Sequence, residues 1–221
     1  MLPFRRFVLT FAVAALMASP ALAQQQKGRG GFGGGMGGGV AMLSQEPVQK
    51  ELKFTDEQKS KAETALTEIR QAHMDEMSAI REAPQEERMA KFTALNKAMT
   101  DEAVKALSLN EEQVKRFHQI RIQSARAAAF TLPEVTEKLK LTDDQKSQIR
   151  EIVADSRTKS MEIRKSAGEN REEARSQTTA LNKETTEKVM ALLKDDQKAA
   201  WKELTGAPFE YTPTFRRRPN N

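Results

Sequence analysis

Residues 52–60 read LKFTDEQKS, and residues 139–147 read LKLTDDQKS. This recurrence decides the fold, because each copy is written as the start of a helix. Thr55 and Thr142 each precede two acidic residues and a glutamine. A threonine at the N-cap accepts a hydrogen bond from a backbone N–H of the first turn, and a glutamine three residues on reaches back to the N-cap N–H. Acidic residues between them meet the positive end of the helix dipole. The apolar residue just before the cap pins the entering chain to a core. Leu52, Phe54, Thr55 and Gln58 make up the first copy, and Leu141, Thr142 and Gln145 the second.

The same plan recurs as Leu109-Asn110-Glu111-Glu112-Gln113 and as Leu193-Lys194-Asp195-Asp196-Gln197. In the fourth copy Lys194 stands at the cap and cannot accept, so Asp195 is expected to cap and to move the helix start by one. Four such boxes specify architecture and carry no chemistry of their own.

Outward from these boxes the chain repeats itself. Ala94-Leu95-Asn96-Lys97 returns as Ala180-Leu181-Asn182-Lys183, VKAL at 104–107 returns as VMAL at 189–192, and Gln113 is answered by Gln197. The offset drifts slowly downward along the chain, as small deletions in connecting turns produce. Between the boxes the apolar period is helical. Ala62, Leu66, Ile69, His73, Met77 and Ile80 follow it, as do Met89, Phe92, Leu95, Met99, Ala103 and Leu107. In the second half, Ile149, Ile152, Ser156 and Ile163 mark one stripe, and Ala174, Thr178, Leu181, Thr185, Val189 and Leu192 another. These later stripes are poorer in large apolar groups. Pro47, Pro84 and Pro133 fall between periodic segments, where a proline avoids the ~3 kcal/mol it costs inside a helix. The predicted fold is all-α: two tandem copies of a long helical hairpin, each with a short closing helix, elongated or cradle-like.

Composition agrees with thin helices. Apolar residues are 38% of the 221 and charged residues 30%, too lean for a thick core. Aromatic residues are 5%, which gives a sheet little to build with. The N-terminus reads as a secretory signal over residues 1–23, with Arg5 and Arg6, an apolar run over 7–17, and Ala21-Leu22-Ala23 as the cleavage site. A largely apolar run of eleven residues is too short to span a bilayer, which needs about 20. The mature chain is expected to be periplasmic or secreted, without stable membrane insertion after cleavage. There is no cysteine, so disulfides, thiolate metal sites and a cysteine nucleophile are excluded. Nine of eleven glycines lie in residues 28–39, which predicts a disordered tether over 24–46. Helical units are expected over 47–130 and 131–206, and a flexible basic tail over 207–221. Gly168 and Gly206 fall where helical patterns stop.

The net charge of +5 sits in the tails. Seven of the 36 basic residues are Arg5, Arg6, Lys27, Arg29, Arg216, Arg217 and Arg218, leaving 29 against 31 acidic ones in the body. A nucleic-acid binder needs a basic face on the fold itself, so that class is set aside. The chain has no Gly-x-Ser-x-Gly, no His-Glu-x-x-His and no dinucleotide fingerprint, and is not expected to be an enzyme or to use a cofactor. His73 and Met77 share a helix face, but a metal site needs three or four converging ligands, and a packed histidine is the expected reading. His118, beside Phe117, reads as a surface or interface residue.

The boxes resemble the LTXXQ-motif family of periplasmic proteins, the Spy/CpxP-like group. The resemblance rests on Leu141-Thr142-x-x-Gln145, the near copy Phe54-Thr55-x-x-Gln58, and the segments EVTEKLKLTDDQK and WKELTGAPFEY, and it covers roughly residues 45–206. It implies a curved all-helical cradle, often a homodimer, that acts as an ATP-independent chaperone or envelope-stress protein on unfolded or envelope partners. Metal binding occurs in some relatives. This chain departs by lacking a His-rich segment and by its duplication, which lets one chain mimic a dimer of single units. A non-catalytic envelope scaffold or interaction module, docking through Phe209, Tyr211 and the arginine tail, is the first alternative, and a metal-binding sensor built on His73 the second. Met74, Met77, Met89, Met99, Met161 and Met190 fall on helices and are expected mostly to fill the core.

Overall fold

The structure, a computed structural model, describes residues 38–168 and 170–209. The signal segment and residues 210–221 lie outside this range. The described residues are all-α, with no strand among them. The first half runs α1 (Gly39–Leu43), α2 (Glu46–Glu51), α3 (Asp56–Ala72), α4 (Met74–Glu82), α5 (Gln85–Ala106) and α6 (Glu111–Ala125). A 3-10 turn (Arg126–Thr131) leads into α7 (Pro133–Lys138), α8 (Asp143–Ser166), α9 (Arg171–Ala191) and α10 (Asp195–Thr205).

In the first half α5 folds back on α3 and α4, and α1 lies across α3 and α5. In the second half α9 folds back on α8, and the 3-10 turn lies across both. The closing helices α6 and α10 pack on each other. Two apolar cores follow from this layout. Leu43, Val48, Leu66, Leu107, Phe117 and Ile120 anchor the first, and Phe130, Val135, Leu139, Ile149 and Val189 anchor the second. Helix α6 serves both, Phe117 and Ile120 facing one core and Ile122 the other.

The recurring motif proves to be two helix ends joined back to back. Leu52, Leu107 and Leu139 are C-caps of α2, α5 and α7. The next residues, Lys53, Ser108 and Lys140, take left-handed φ values of 52°, 50° and 49°. Placing a non-glycine residue there costs about 1–2 kcal/mol, and the Schellman pair of backbone bonds offsets it. Phe54 N–H donates to Gln49 C=O at 2.9 Å and Lys53 N–H to Lys50 C=O at 3.0 Å. Leu109 and Leu141 make the same long bond, to Val104 and Thr136 at 3.1 Å. The residue that closes one helix is also the apolar residue before the next cap, and Phe54 and Leu141 are buried there. The fourth junction is one residue shorter. Leu192 caps α9 and Leu193 follows directly, so no left-handed residue is needed.

Four expectations are corrected. The tether ends earlier than residue 46, because α1 carries Val40, Met42 and Leu43 into the first core. The glycine-rich composition hides this short apolar run. Gly39 itself is a packing residue: a Cβ there would strike the Thr100 side chain. Second, the units begin upstream of 47 and 131. Val40, Met42 and Leu43 are buried as Ala127, Ala129 and Phe130 are. Ser44 Oγ donates to Ala41 C=O at 2.8 Å, as Thr131 Oγ1 does to Ala128 C=O. Third, the tail is not loose from 207, since Ala207 and Phe209 are hydrogen-bonded to α6. Fourth, α10 starts at Asp195 with Lys194, not Asp195, in the N-cap position. The Gln197 bond to the Lys194 N–H fixes that register without help from the lysine side chain.

The first stripe also breaks at His73, between α3 and α4, whereas α8 is unbroken. Gly168 follows α8 with φ +51°, and Gly206 ends α10 with φ 62° and ψ −155°, outside the left-handed helical well in a region that favours glycine, although Arg126 at the end of α6 takes φ 53° and ψ −136°.

Candidate functional site

Thr55, Asn110 and Thr142 each accept from the N–H of the glutamine three residues on, at 3.1, 2.9 and 3.2 Å. Gln58, Gln113, Gln145 and Gln197 each accept from the N–H of their own N-cap residue at 2.9–3.0 Å. What the sequence did not suggest is that the glutamines pair. Gln58 Nε2 donates to Gln113 Oε1 at 3.0 Å and Gln113 Nε2 to Gln58 Oε1 at 2.9 Å. Gln145 and Gln197 exchange the same bonds at 2.8 and 2.9 Å. Each remaining amide N–H goes to a carbonyl at the end of the other junction's preceding helix. Gln113 donates to Leu52 at 3.0 Å, Gln58 to Leu107 at 3.3 Å, Gln145 to Leu192 at 2.8 Å and Gln197 to Lys140 at 3.4 Å. One amide therefore caps the start of its own helix and the end of another. Glutamate supplies only the first function, which explains the choice of glutamine. This centre joins helix ends and is structural.

The histidines sit elsewhere. His73 Nε2 is 3.1 Å from Glu102 Oε2 on α5, and Nδ1 is 3.2 Å from Glu76 Oε2 on α4. Glu102, and then Glu76, hold its pKa above the ordinary value by accepting from the charged ring. Met77 packs against the first core. His118 stands on α6, where the surrounding protein and then the Arg121 guanidinium keep its pKa below the ordinary value. Arg121 Nη1 is 3.4 Å from His118 Nδ1. Among the described residues no three His, Cys, Asp or Glu side chains converge as metal ligands.

Two shallow openings run along the hairpins. One, between α4 and α5, is lined by Glu76, Ala79, Ile80, Lys91 and Ala94. The other lies between α8 and α9, where Asp155 pairs with Lys159 at 2.8 Å and Glu184 with Lys188 at 2.6 Å.

A more specific arrangement lies on α6. Arg116, Gln119 and Gln123 share a helix face by their spacing, and all three reach the end of the chain's second half. Arg116 Nη1 and Gln123 Nε2 both donate to Ala207 C=O at 2.8 Å. Gln123 Oε1 accepts from the Phe209 N–H at 2.8 Å, and Gln119 Nε2 donates to Glu203 C=O at 3.3 Å. Arg116 is held from behind by Glu51 of α2 at 2.6 Å. Its guanidinium carbon lies 6.0 Å from the centre of the Phe209 ring, which packs against the first core. The polar spacing on α6 was visible in RFHQIRIQSAR, but nothing local said what it would hold. Comparison of the chain with known protein families, with curated proteins and with solved structures finds no match in any of the three.

Proposed function

We propose that this is an exported, non-catalytic, ATP-independent chaperone-like or envelope-stress protein that holds unfolded or partner proteins on its amphipathic helices. The observation that carries this reading is the chemistry of its exposed apolar groups. The exposed large hydrophobic side chains among the described residues are Met74, Met89 and Met161, at 60%, 39% and 55% exposure. Methionine is unbranched and polarizable, so it adapts to apolar surfaces of many shapes. Helices of mixed charge surround these groups; Lys91 and Glu87, for example, pair at 2.6 Å on the helix that carries Met89. Such a surface offers weak, adaptable apolar contact inside a solubilising rim. The resemblance of the LTXXQ boxes and the secretory reading of residues 1–23 point the same way. No described helix is long and apolar enough to cross a membrane.

The test is light scattering from a client unfolded by heat or reductant, without nucleotide. Dose-dependent suppression is expected, and replacing Met74, Met89 and Met161 together by serine should weaken it several-fold while leaving the circular dichroism unchanged. No suppression of several clients at several-fold excess would defeat the reading.

A further inference from the structure

We propose that the α6 face bearing Arg116, Gln119 and Gln123 is a polypeptide-binding groove, that residues 207–209 occupy it in cis, and that an extended, aromatic-bearing segment of an unfolded protein displaces them. The proposal rests on the chaperone-like reading above and names its binding site.

The groove contacts the main chain of its occupant. Arg116 and Gln123 donate to the Ala207 carbonyl and Gln123 accepts from the Phe209 N–H, whereas Gln119 and Gln123 also donate to the Glu203 and Thr205 carbonyls of α10, which hold the two amides in place beside the occupant. Every extended polypeptide offers the same carbonyls and N–H groups, so recognition of this kind tolerates almost any sequence. Side chains enter at one point, the Phe209 ring, which lies on the first core beneath Arg116. An aromatic side chain is therefore the anchor that the groove selects. The side chains of Ala207 and Pro208 are exposed and add little to retention, which at Ala207 rests on its carbonyl.

The groove is also prebuilt. Glu51 fixes the Arg116 guanidinium through two contacts, Nε at 2.8 Å and Nη2 at 2.6 Å, so the arginine fork is set independently of the occupant. Gly206 supplies the turn into the groove. Its φ of 62° with ψ of −155° lifts the chain off α10, and a Cβ there would strike Gln119. Rotation at this glycine swings the occupant out without disturbing α10. The cis segment thus acts as a tethered competitor that raises the threshold for clients.

The probe is a fluorescein-labelled peptide of residues 205–213, TGAPFEYTP, read by anisotropy against the full chain. Phe209→Ser, which loosens the cis segment, is expected to bind the peptide at least ten-fold more tightly than the unsubstituted protein. Adding Gln123→Ala should reverse at least five-fold of that gain, and a peptide with serine for phenylalanine should lose binding. Reduced, carboxymethylated lactalbumin, a permanently unfolded chain, should compete with the peptide. Circular dichroism and Trp201 fluorescence identify any variant that has merely unfolded, in which case Arg116→Lys replaces Gln123→Ala. A folded Phe209→Ser that binds no peptide, binding indifferent to both α6 substitutions, or failure of the unfolded chain to compete overturns the proposal. So does an unsubstituted dimer that Phe209→Ser dissociates, which means the segment is exchanged between copies. If peptide and unfolded chain bind as stated but no client is kept from aggregating, the groove stands and the chaperone-like function falls.

Discussion

Gln113→Glu isolates the pairing of the junctions from their capping. The introduced carboxylate still accepts from the Asn110 N–H, as Gln113 Oε1 does at 3.0 Å, so the capping box survives. Two donated bonds are lost, to Leu52 C=O at 3.0 Å and to Gln58 Oε1 at 2.9 Å. Position 113 is 8% exposed, so water does not replace them fully. Each lost bond is worth about 1 kcal/mol and a stranded buried acceptor about 1–3 kcal/mol, giving roughly 2–4 kcal/mol in total. In a chain of this size that lowers Tm by roughly 5–15 °C. The penalty must depend on pH in a definite direction. One carboxylate oxygen keeps the Asn110 and Gln58 donors while the other, buried, faces two carbonyl oxygens; burial and that repulsion outweigh the retained donors and raise the folded pKa above the unfolded value of about 4.3. Its protonated form donates one bond back, so stability is retained below the unfolded pKa and lost as pH rises through the folded one. Urea unfolding followed by circular dichroism at pH 4 and pH 7 measures both parts. A loss below ~0.5 kcal/mol at pH 7, or an equal loss at both pH values, would show that the amide pair does not couple the junctions.

Three further substitutions test other links. His73 bridges Glu102 and Glu76, and its pKa is raised, so the bridge should contribute fully below the ordinary histidine value and fade as pH rises through the higher folded value. An NMR titration should place the His73 ring above the ordinary value, and His73→Ala should remove that part of the pH dependence of Tm; a ring titrating below it would contradict the bridge. Gly39→Ala forces a Cβ into the Thr100 side chain, whose Cγ2 would lie 2.8 Å away, and should cost about 1–3 kcal/mol by overpacking; partial rescue by Thr100→Ala in a thermal melt checks the cause. Lys194→Thr completes the half-made box at α10 and should stabilise by about 1 kcal/mol in urea unfolding, since the Gln197 half is already in place.

Helices and their starts were legible because caps are local: Thr55, Asn110 and Thr142 need only the next few residues to declare themselves. The amide pairs were not, because Gln58 and Gln113 are separated by two helices and meet only after α5 folds back on α3. The shortened fourth junction was half legible. The drop in offset between Val189–Leu192 and Gln197 marks one residue fewer there, but only the structure identifies it as the left-handed one. Composition misled at both ends of the folded body. The glycine run masked α1, whose Val40, Met42 and Leu43 are few but fully used, and the arginine-rich terminus masked the docking of Phe209. His73 fell on the apolar stripe by period alone, and only the approach of Glu102 from α5 makes it an electrostatic bridge.

The two hairpins share one design at their bases and differ along their arms. In the first, Leu66, Ile69, Ile80, Leu95 and Met99 are buried well away from the junctions. In the second, no residue of 157–166 or 171–180 is buried, and the half-buried positions carry Ser160, Ile163, Ala174 and Thr178, with Ser156 just below them. Thr185 and Ser156 meet at 2.8 Å near the last point where the arm has a packed interior. Apolar burial gives roughly 25 cal/mol per Å², so an arm with only half-buried Ile163 and Ala174 relies more on helix propensity and surface ion pairs, each worth well under 1 kcal/mol. Such segments open at low free energy while the base stays folded. Met161 stands on this arm, whereas Met74 and Met89 stand on the better-packed one. The exposed methionines are therefore carried on arms packed to unequal depth, joined through α6, the helix that serves both cores.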